Sequence, residues 1–132
     1  MNLYLHVPFC NGKCAYCAFY SEPVFSLPLW NRWLERIERE LDRVTSPVST
    51  LYLGGGTPTL APVEELERLG KLLRSRLTFH ADSERSIECN PETVTPEKAS
   101  LLAEYFNRIS MGAQSFSANS LRAIGRTACD PD

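Results

Sequence analysis

The chain has 132 residues, 43% of them hydrophobic and 10% aromatic, and its 14 Lys and Arg against 16 Asp and Glu give a formal net charge of −2. That is one domain's worth of ordinary globular sequence. No apolar run approaches the ~18–20 residues needed to cross a bilayer, and no basic stripe is present to neutralise a phosphate backbone, so neither a transmembrane segment nor a nucleic-acid partner is expected.

The N-terminus, MNLYLHVPFC, has neither the basic leader nor the apolar stretch of a secretory signal, which points to the cytoplasm. Leu3–His6 is a short apolar run that predicts a first strand; it ends at Pro8 and opens into a cysteine-rich loop from Cys10 to Cys17. A Pro-containing connector spans Ser21–Pro28. Beyond it, Trp30, Trp33, Leu34, Ile37 and Leu41 recur at helical intervals among charged residues, an amphipathic helix that stops before Pro47.

Thr50–Leu53 predicts a second strand, followed at once by Gly54-Gly55-Gly56-Thr57-Pro58. Val63 to Leu73 predicts a second helix, with Leu66, Leu69, Leu72 and Leu73 on one side. Ser86–Glu88 predicts a third strand. Thr95-Pro96 supplies an N-cap and a first-turn proline to a third helix with Ala99, Leu102, Ala103 and Phe106 along its apolar stripe. Arg108–Met111 is the fourth expected strand, and Ser117 can cap a last helix through Leu121 and Ile124.

Four βα units in series predict an α/β fold, a right-handed parallel sheet backed by helices, with the loops at the carboxyl ends of the strands sharing one rim. Ligands collect at that rim in such folds. Four units do not close a barrel, for which ~250 residues are typical, so the expectation is a partial TIM-like barrel in a chain cut short, with no linker dividing residues 1–132 into two domains.

Five cysteines, Cys10, Cys14, Cys17, Cys89 and Cys129, are an odd number with three crowded into eight residues. In a reducing compartment this argues for a metal rather than a disulfide framework. The C-x3-C-x2-C spacing lets one compact loop, turned at Gly12, offer three thiolates to three irons of a [4Fe–4S] cubane, leaving the fourth iron open to a small molecule. Phe9, Tyr16 and Phe19 are expected to wall the cluster with apolar surface. The competing readings are structural zinc, with Cys89 or His80 as fourth ligand, and unliganded buried cysteines; zinc lacks its usual second C-x2-C pair here.

The Gly54–Thr57 run falls at the same rim, where glycines let a ligand's polar end reach backbone N–H and C=O groups. No Lys-Ser/Thr pair follows it, so it is not a P-loop. Glu88 ends a strand at the rim and suits a ribose hydroxyl or an ammonium, with a solvated strand end as the plain alternative. Gln114 lies just past the fourth strand. Arg126, one helix later, reads by itself as an ordinary surface arginine.

Taken in order, YLHVPFC at 4–10, the cysteine loop, LGGGTPT at 53–59, IECNPET at 87–93 and NRISMGAQSF at 107–116 resemble the radical S-adenosylmethionine family, in the branch of oxygen-independent coproporphyrinogen III oxidase and its heme-chaperone relative HemW. The resemblance covers essentially the whole chain. It implies a [4Fe–4S] cluster on Cys10, Cys14 and Cys17, with S-adenosylmethionine on the vacant iron and an electron donor as partner; an electron from the reduced cluster then cleaves the sulfonium to methionine and a 5′-deoxyadenosyl radical. Carried over by position, Tyr4 and Tyr16 lie against the cofactor, Gly55, Gly56 and Thr57 contact its methionine end, and Glu88, Gln114 and Arg126 make polar contacts. Arg126 suits a carboxylate through its planar fork of donors. His6 belongs to the motif, with a structural role as its plain reading.

Within the branch, the oxidase side carries a further cysteine where this sequence has Phe19, and a longer segment before the first strand; both favour the chaperone side, although its members usually show Asp at the position of Ala18. After Arg126 the family usually has a histidine where Ala128 stands, then further βα units and a C-terminal domain. The resemblance therefore implies the N-terminal portion of a radical SAM core. Three functions follow: a heme chaperone, an enzyme decarboxylating coproporphyrinogen III propionates to vinyl groups, or an inert half-barrel with an exposed sheet edge. Heme or a porphyrinogen is the implied second ligand of the full-length parent.

Overall fold

The computed structural model describes residues 1–126. The expectations at Ala128 and Cys129 lie outside the described residues. The elements are β1 (Asn2–Val7), α1 (Leu27–Leu41), β2 (Val48–Gly55), α2 (Val63–Arg76), β3 (Phe79–Cys89), α3 (Pro96–Tyr105), β4 (Arg108–Met111) and α4 (Ala118–Ala123), with single 3-10 turns at Pro58–Leu60 and Pro91–Thr93. The strands form one sheet in the order β1-β2-β3-β4, every neighbouring pair parallel. The expected α/β fold with four βα units is thus observed.

Several boundaries have local causes. Ser26 caps α1, its Oγ accepting from Leu29 N at 3.4 Å, so Pro28 belongs to the helix's first turn, where a missing N–H leaves nothing unsatisfied. The caps at Thr95 and Ser117 form as expected, accepting from Lys98 N and Ser120 N. Phe106 follows α3 as its C-cap instead of continuing the helix, yet its ring is still buried. The third strand is far longer than Ser86–Glu88, because its first half, Phe79 to Arg85, pairs with β2 across a register shift while exposing polar side chains.

Alternation on the strands divides the sheet into two faces. Leu5, Val7, Leu51, Leu53 and Ile87 face the helices and pack on Trp30, Leu34, Leu66, Leu69 and Leu102, all buried, each such side chain contributing about 1.5–3 kcal/mol. At the α2–α3 contact, Gly70 lies so close to Tyr105 that an added Cβ would sit 2.5 Å from the ring. The other face carries Tyr4, His6, Tyr52, Ser86, Glu88, Arg108 and Ser110. Paired Cα positions align Tyr4, Tyr52, Ser86 and Arg108 in one row across all four strands, with Glu88 opposite Ser110 two residues further on.

Candidate functional site

The cysteine loop leaves β1 at the carboxyl rim and is pinned from both sides. Cys10 N donates to Glu22 O at 3.0 Å and Glu22 N to Pro8 O at 2.6 Å, closing the loop at its base. Phe9, 4% exposed, packs edge-on against Phe25 at 5.9 Å and beside Trp30 at 6.0 Å. This corrects one expectation: Phe9 anchors the loop in the core and does not wall the thiols, because it continues the helix-facing parity of Leu5 and Val7. Tyr16 and Phe19 do face the cleft.

His6 supplies a second tether. The Tyr20 carbonyl can only accept, so His6 Nε2 donates to it at 2.9 Å, and in the neutral ring Nδ1 accepts from Tyr4 OH at 3.0 Å. The structural reading of His6 therefore has a geometry: the imidazole ties the returning limb of the loop to β1. Ala15 N reaches Ile124 O at 3.4 Å, which joins the loop tip to the end of α4.

The glycine run continues the β1–β2 ladder past the strands, with Gly56 N donating to Val7 O at 2.7 Å and Thr57 N to Phe9 O at 2.6 Å. A Cβ on Gly56 would collide with the Phe9 carbonyl, and one on Gly55, at φ 113°, would meet the His6 ring at 2.5 Å. Glycine is required here by close backbone approach and by a left-handed conformation. Thr57, 3% exposed, places its Oγ1 3.4 Å from Cys10 Sγ and accepts from Asn90 Nδ2 at 3.0 Å.

Glu88 is held on two sides. Its Oε1 accepts from Tyr52 OH at 2.6 Å and its Oε2 from Gly55 N at 2.9 Å, which fixes the carboxylate at the rim while leaving each oxygen a further lone pair. That bond to Glu88, with burial behind it, raises the Tyr52 hydroxyl above the usual phenol range. Sequence reasoning missed Tyr52, although the alternation of β2 already puts it on the face of Gly54 and Glu88.

Gln114 adopts φ 62°, the one non-glycine left-handed residue among those described, in a tight turn after β4. Such a conformation costs about 1–2 kcal/mol; here it carries Gln114 onto the cleft. Arg126 is buried. Its Nη1 donates to the Gly112 carbonyl and its Nη2 lies 3.4 Å from Glu92 Oε1, so the guanidinium is aimed by two different βα loops. The Tyr16 hydroxyl is raised by burial and by the neighbouring Cys14, while Arg126 opposes that shift, which puts thiol, phenol and guanidinium side by side.

These groups enclose one cleft of about 300 Å3 at the carboxyl rim. Cys10, Cys14, Cys17, Tyr16, Gly55, Gly56, Thr57, Glu88, Gln114 and Arg126 all line it. Tyr4 does not: it sits two residues earlier on β1 than His6, half exposed, and turns its hydroxyl to that ring. Among the described residues no three His, Cys, Asp or Glu side chains converge on a single point as one metal ion needs. His80 lies at the opposite end of β3 from Cys89, which removes it as a zinc ligand beside the loop. A cubane instead spreads its thiolates over separate irons.

The donor set fits such a cluster with an amino acid-like ligand beside it: three loop thiols, a glycine edge of backbone polar groups, a carboxylate for an ammonium, and a guanidinium for a carboxylate. Fold and cleft together define a βα protein that brings three loop thiols, a glycine edge, a carboxylate and a guanidinium to one sheet edge.

Residues 4–130 match the radical SAM superfamily. The chain belongs to that superfamily. It is 35% identical over 135 residues to the heme chaperone HemW of Escherichia coli, covering 96% of this chain and 35% of that protein. It is 36% identical over 132 residues to the oxygen-independent coproporphyrinogen III oxidase of the same organism, covering 96% and 29%. The HemW of Mycobacterium tuberculosis is 37% identical over 133 residues, with 95% and 34% covered. The solved structure of the E. coli coproporphyrinogen III oxidase, HemN, titled a radical SAM enzyme, matches with a TM-score of 0.85 at 35% identity, over 96% of this chain and 31% of that one. Within the superfamily the chain is of the HemW and HemN type, its fold is the matching part of a radical SAM TIM-like barrel, and the family implies S-adenosylmethionine and a [4Fe–4S] cluster. The chain spans about a third of the length of these relatives. No helix among the described residues is long and apolar enough to cross a membrane.

Proposed function

We propose that this chain is the N-terminal part of the radical SAM core of a HemW-like heme chaperone, binding a [4Fe–4S] cluster through Cys10, Cys14 and Cys17 and S-adenosylmethionine in the adjoining cleft. The observation that carries the cofactor assignment is the cleft itself, where ten of the eleven residues assigned to cluster and cofactor meet. Glu88, preset by Tyr52 and Gly55, takes the amino group. Arg126, with the Gly112 carbonyl and Glu92 holding its orientation, takes the carboxylate, and the glycine edge admits the methionine backbone. Tyr4 is assigned to a more distant contact along β1. When bound, the reduced cluster supplies the electron that opens the sulfonium; the protein's part is to hold, orient and shield.

The chaperone reading rests on Phe19. It stands at the cleft where the oxidase side of the branch carries an additional cysteine, and the residue is 63% exposed. The oxidase reading is the second one, favoured by the likeness to the coproporphyrinogen III oxidase structure.

The test is anaerobic reconstitution with iron and sulfide, electron paramagnetic resonance of the reduced protein with and without S-adenosylmethionine, and hemin titration. A [4Fe–4S] signal that shifts with the cofactor, together with hemin binding and no turnover of coproporphyrinogen III, supports the chaperone. Conversion of coproporphyrinogen III under reducing conditions moves the assignment to the oxidase. A cluster indifferent to the cofactor removes both.

A further inference from the structure

The face of the sheet turned away from the helices is polar where a plain core would be aliphatic. Along the row Tyr4, Tyr52, Ser86 and Arg108, two phenol rings lie 6.1 Å apart and within 24° of parallel, and a guanidinium stands across Ser86 from them. Arg85, the other arginine on the strands, has the opposite parity and lies over the Phe79 ring at 5.6 Å. Among the described residues Arg108 is thus the one strand guanidinium on the cleft's side of the sheet.

Its engagement in the structure is partial. Arg108 Nη1 donates to Ser86 Oγ at 3.1 Å, and Ser86 Oγ donates to Glu84 Oε1 at 2.7 Å. Glu84 itself is 3.8 Å from Arg108 Nη1, an ion-pair distance too long for a hydrogen bond, with both side chains half exposed. The guanidinium keeps most of its five donors, and a bidentate carboxylate would gain two hydrogen bonds where Glu84 makes none. Ser110, two residues beyond Arg108 on the same face, lines the cleft, so this row begins about 7 Å from the cleft's lining.

We infer that Arg108, with the Ser86 hydroxyl beside it and the Tyr4–Tyr52 ring pair as an apolar shelf, forms a subsite for a planar macrocycle bearing carboxylates, the guanidinium taking one propionate. This rests on the tetrapyrrole reading above and holds for heme and porphyrinogen alike. It assigns a second ligand to a row that lies outside the residues lining the cleft.

The experiment is an absorbance titration of the 132-residue chain with hemin and, in parallel, with hemin dimethyl ester, in which the propionates carry no charge. Hemin is expected to bind more tightly than its ester. Arg108→Gln should lower hemin affinity about tenfold or more, the loss expected for hydrogen bonds between charged partners, and leave the ester's affinity unchanged, while Arg108→Lys restores part of the loss. Melting curves and the cofactor-induced resonance shift should match the wild type in both variants. Equal binding of acid and ester, or equal hemin affinity in Arg108→Gln, overturns the subsite and leaves the heme reading standing. A wild-type chain that binds neither ligand overturns the heme reading and the subsite with it.

Discussion

Tyr52 OH donates to Glu88 Oε1 at 2.6 Å across the β2–β3 pair, and Gly55 N closes the other carboxylate oxygen. The carboxylate reaches the rim already oriented, so binding an ammonium there does not require it to be ordered at that moment. Tyr52→Phe removes one of the two restraints. The expected result is S-adenosylmethionine affinity lowered severalfold, for a bond worth about 1 kcal/mol, with the iron content of the reconstituted protein unchanged. Calorimetric titration and iron analysis check both halves; an unchanged affinity would remove Tyr52 from any positioning role.

The same pair has a pH signature. The native Tyr52 hydroxyl loses its proton less readily than a free phenol, so its stabilising contribution is fully present below the unfolded value of about 10 and is lost as pH rises through the raised native value. Tyr4, Tyr16 and Tyr20 are raised as well, so the informative quantity is a difference between proteins. Above about pH 10, the melting temperature of the wild type should fall more steeply than that of Tyr52→Phe. Parallel curves would show that the pair contributes nothing to stability.

The ligand assignment separates the cysteines by element. Cys10, Cys14 and Cys17 are half-buried on one loop, whereas Cys89 is buried at the end of β3 on the helix-facing parity, where burial and nearby Glu92 push its thiol up. Cys17→Ala is expected to abolish cluster assembly and Cys89→Ala to leave iron and sulfide content near that of the wild type. Retention of a full cluster after losing Cys17, seen by absorbance and iron analysis, contradicts the assignment.

How much of this was legible in the sequence depends on whether an interaction is local. The caps at Thr95 and Ser117, β4, and the placement of Gly55, Gly56 and three cysteines at one rim follow from punctuation and spacing, and they appear as expected. The first half of β3 was hidden because its His-Ala-Asp-Ser-Glu-Arg stretch shows no apolar alternation and owes its strand state to pairing with β2. Phe9 and Tyr52 were misjudged or missed for a related reason. Parity along the strand sets the face of each, but the partners that meet it there, Phe25 and Trp30 for Phe9 and Glu88 for Tyr52, are brought by tertiary packing.

Gly56 offers a test of the rim's backbone. Its amide continues the ladder to Val7 O, and the next carbonyl in its way belongs to Phe9, whose ring is fixed in the core between Phe25 and Trp30. Neither neighbour can give. Gly56→Ala should therefore lower stability by about 1–3 kcal/mol, the range for an overpacked site, and weaken cluster retention by shifting Cys10. Gly12→Ala is the comparison: nothing lies within 4 Å of a Cβ there, although its φ of 91° still disfavours a side chain. Urea denaturation of the two variants should rank Gly56→Ala as the more damaging, and the reverse order would show that the close approach at Phe9 is relieved by a small backbone shift.

Arg126 gives the last prediction, and it separates charge from shape. The guanidinium bridges the Gly112 carbonyl and Glu92 while buried beside Tyr16, a geometry that needs two separated donors in one plane. Lysine keeps the positive charge but offers a single ammonium, which can hold one of these partners or a ligand carboxylate and not the same bidentate arrangement. Arg126→Lys is expected to assemble the cluster normally, since no thiol is touched, and to bind S-adenosylmethionine about tenfold more weakly, the usual consequence of losing a charge-assisted hydrogen bond. A salt series distinguishes the two contributions: long-range attraction weakens with ionic strength in both proteins, so a gap that persists at high salt belongs to the fork. A lysine variant that binds as tightly as the wild type would mean that the residue acts only as a point charge at the rim.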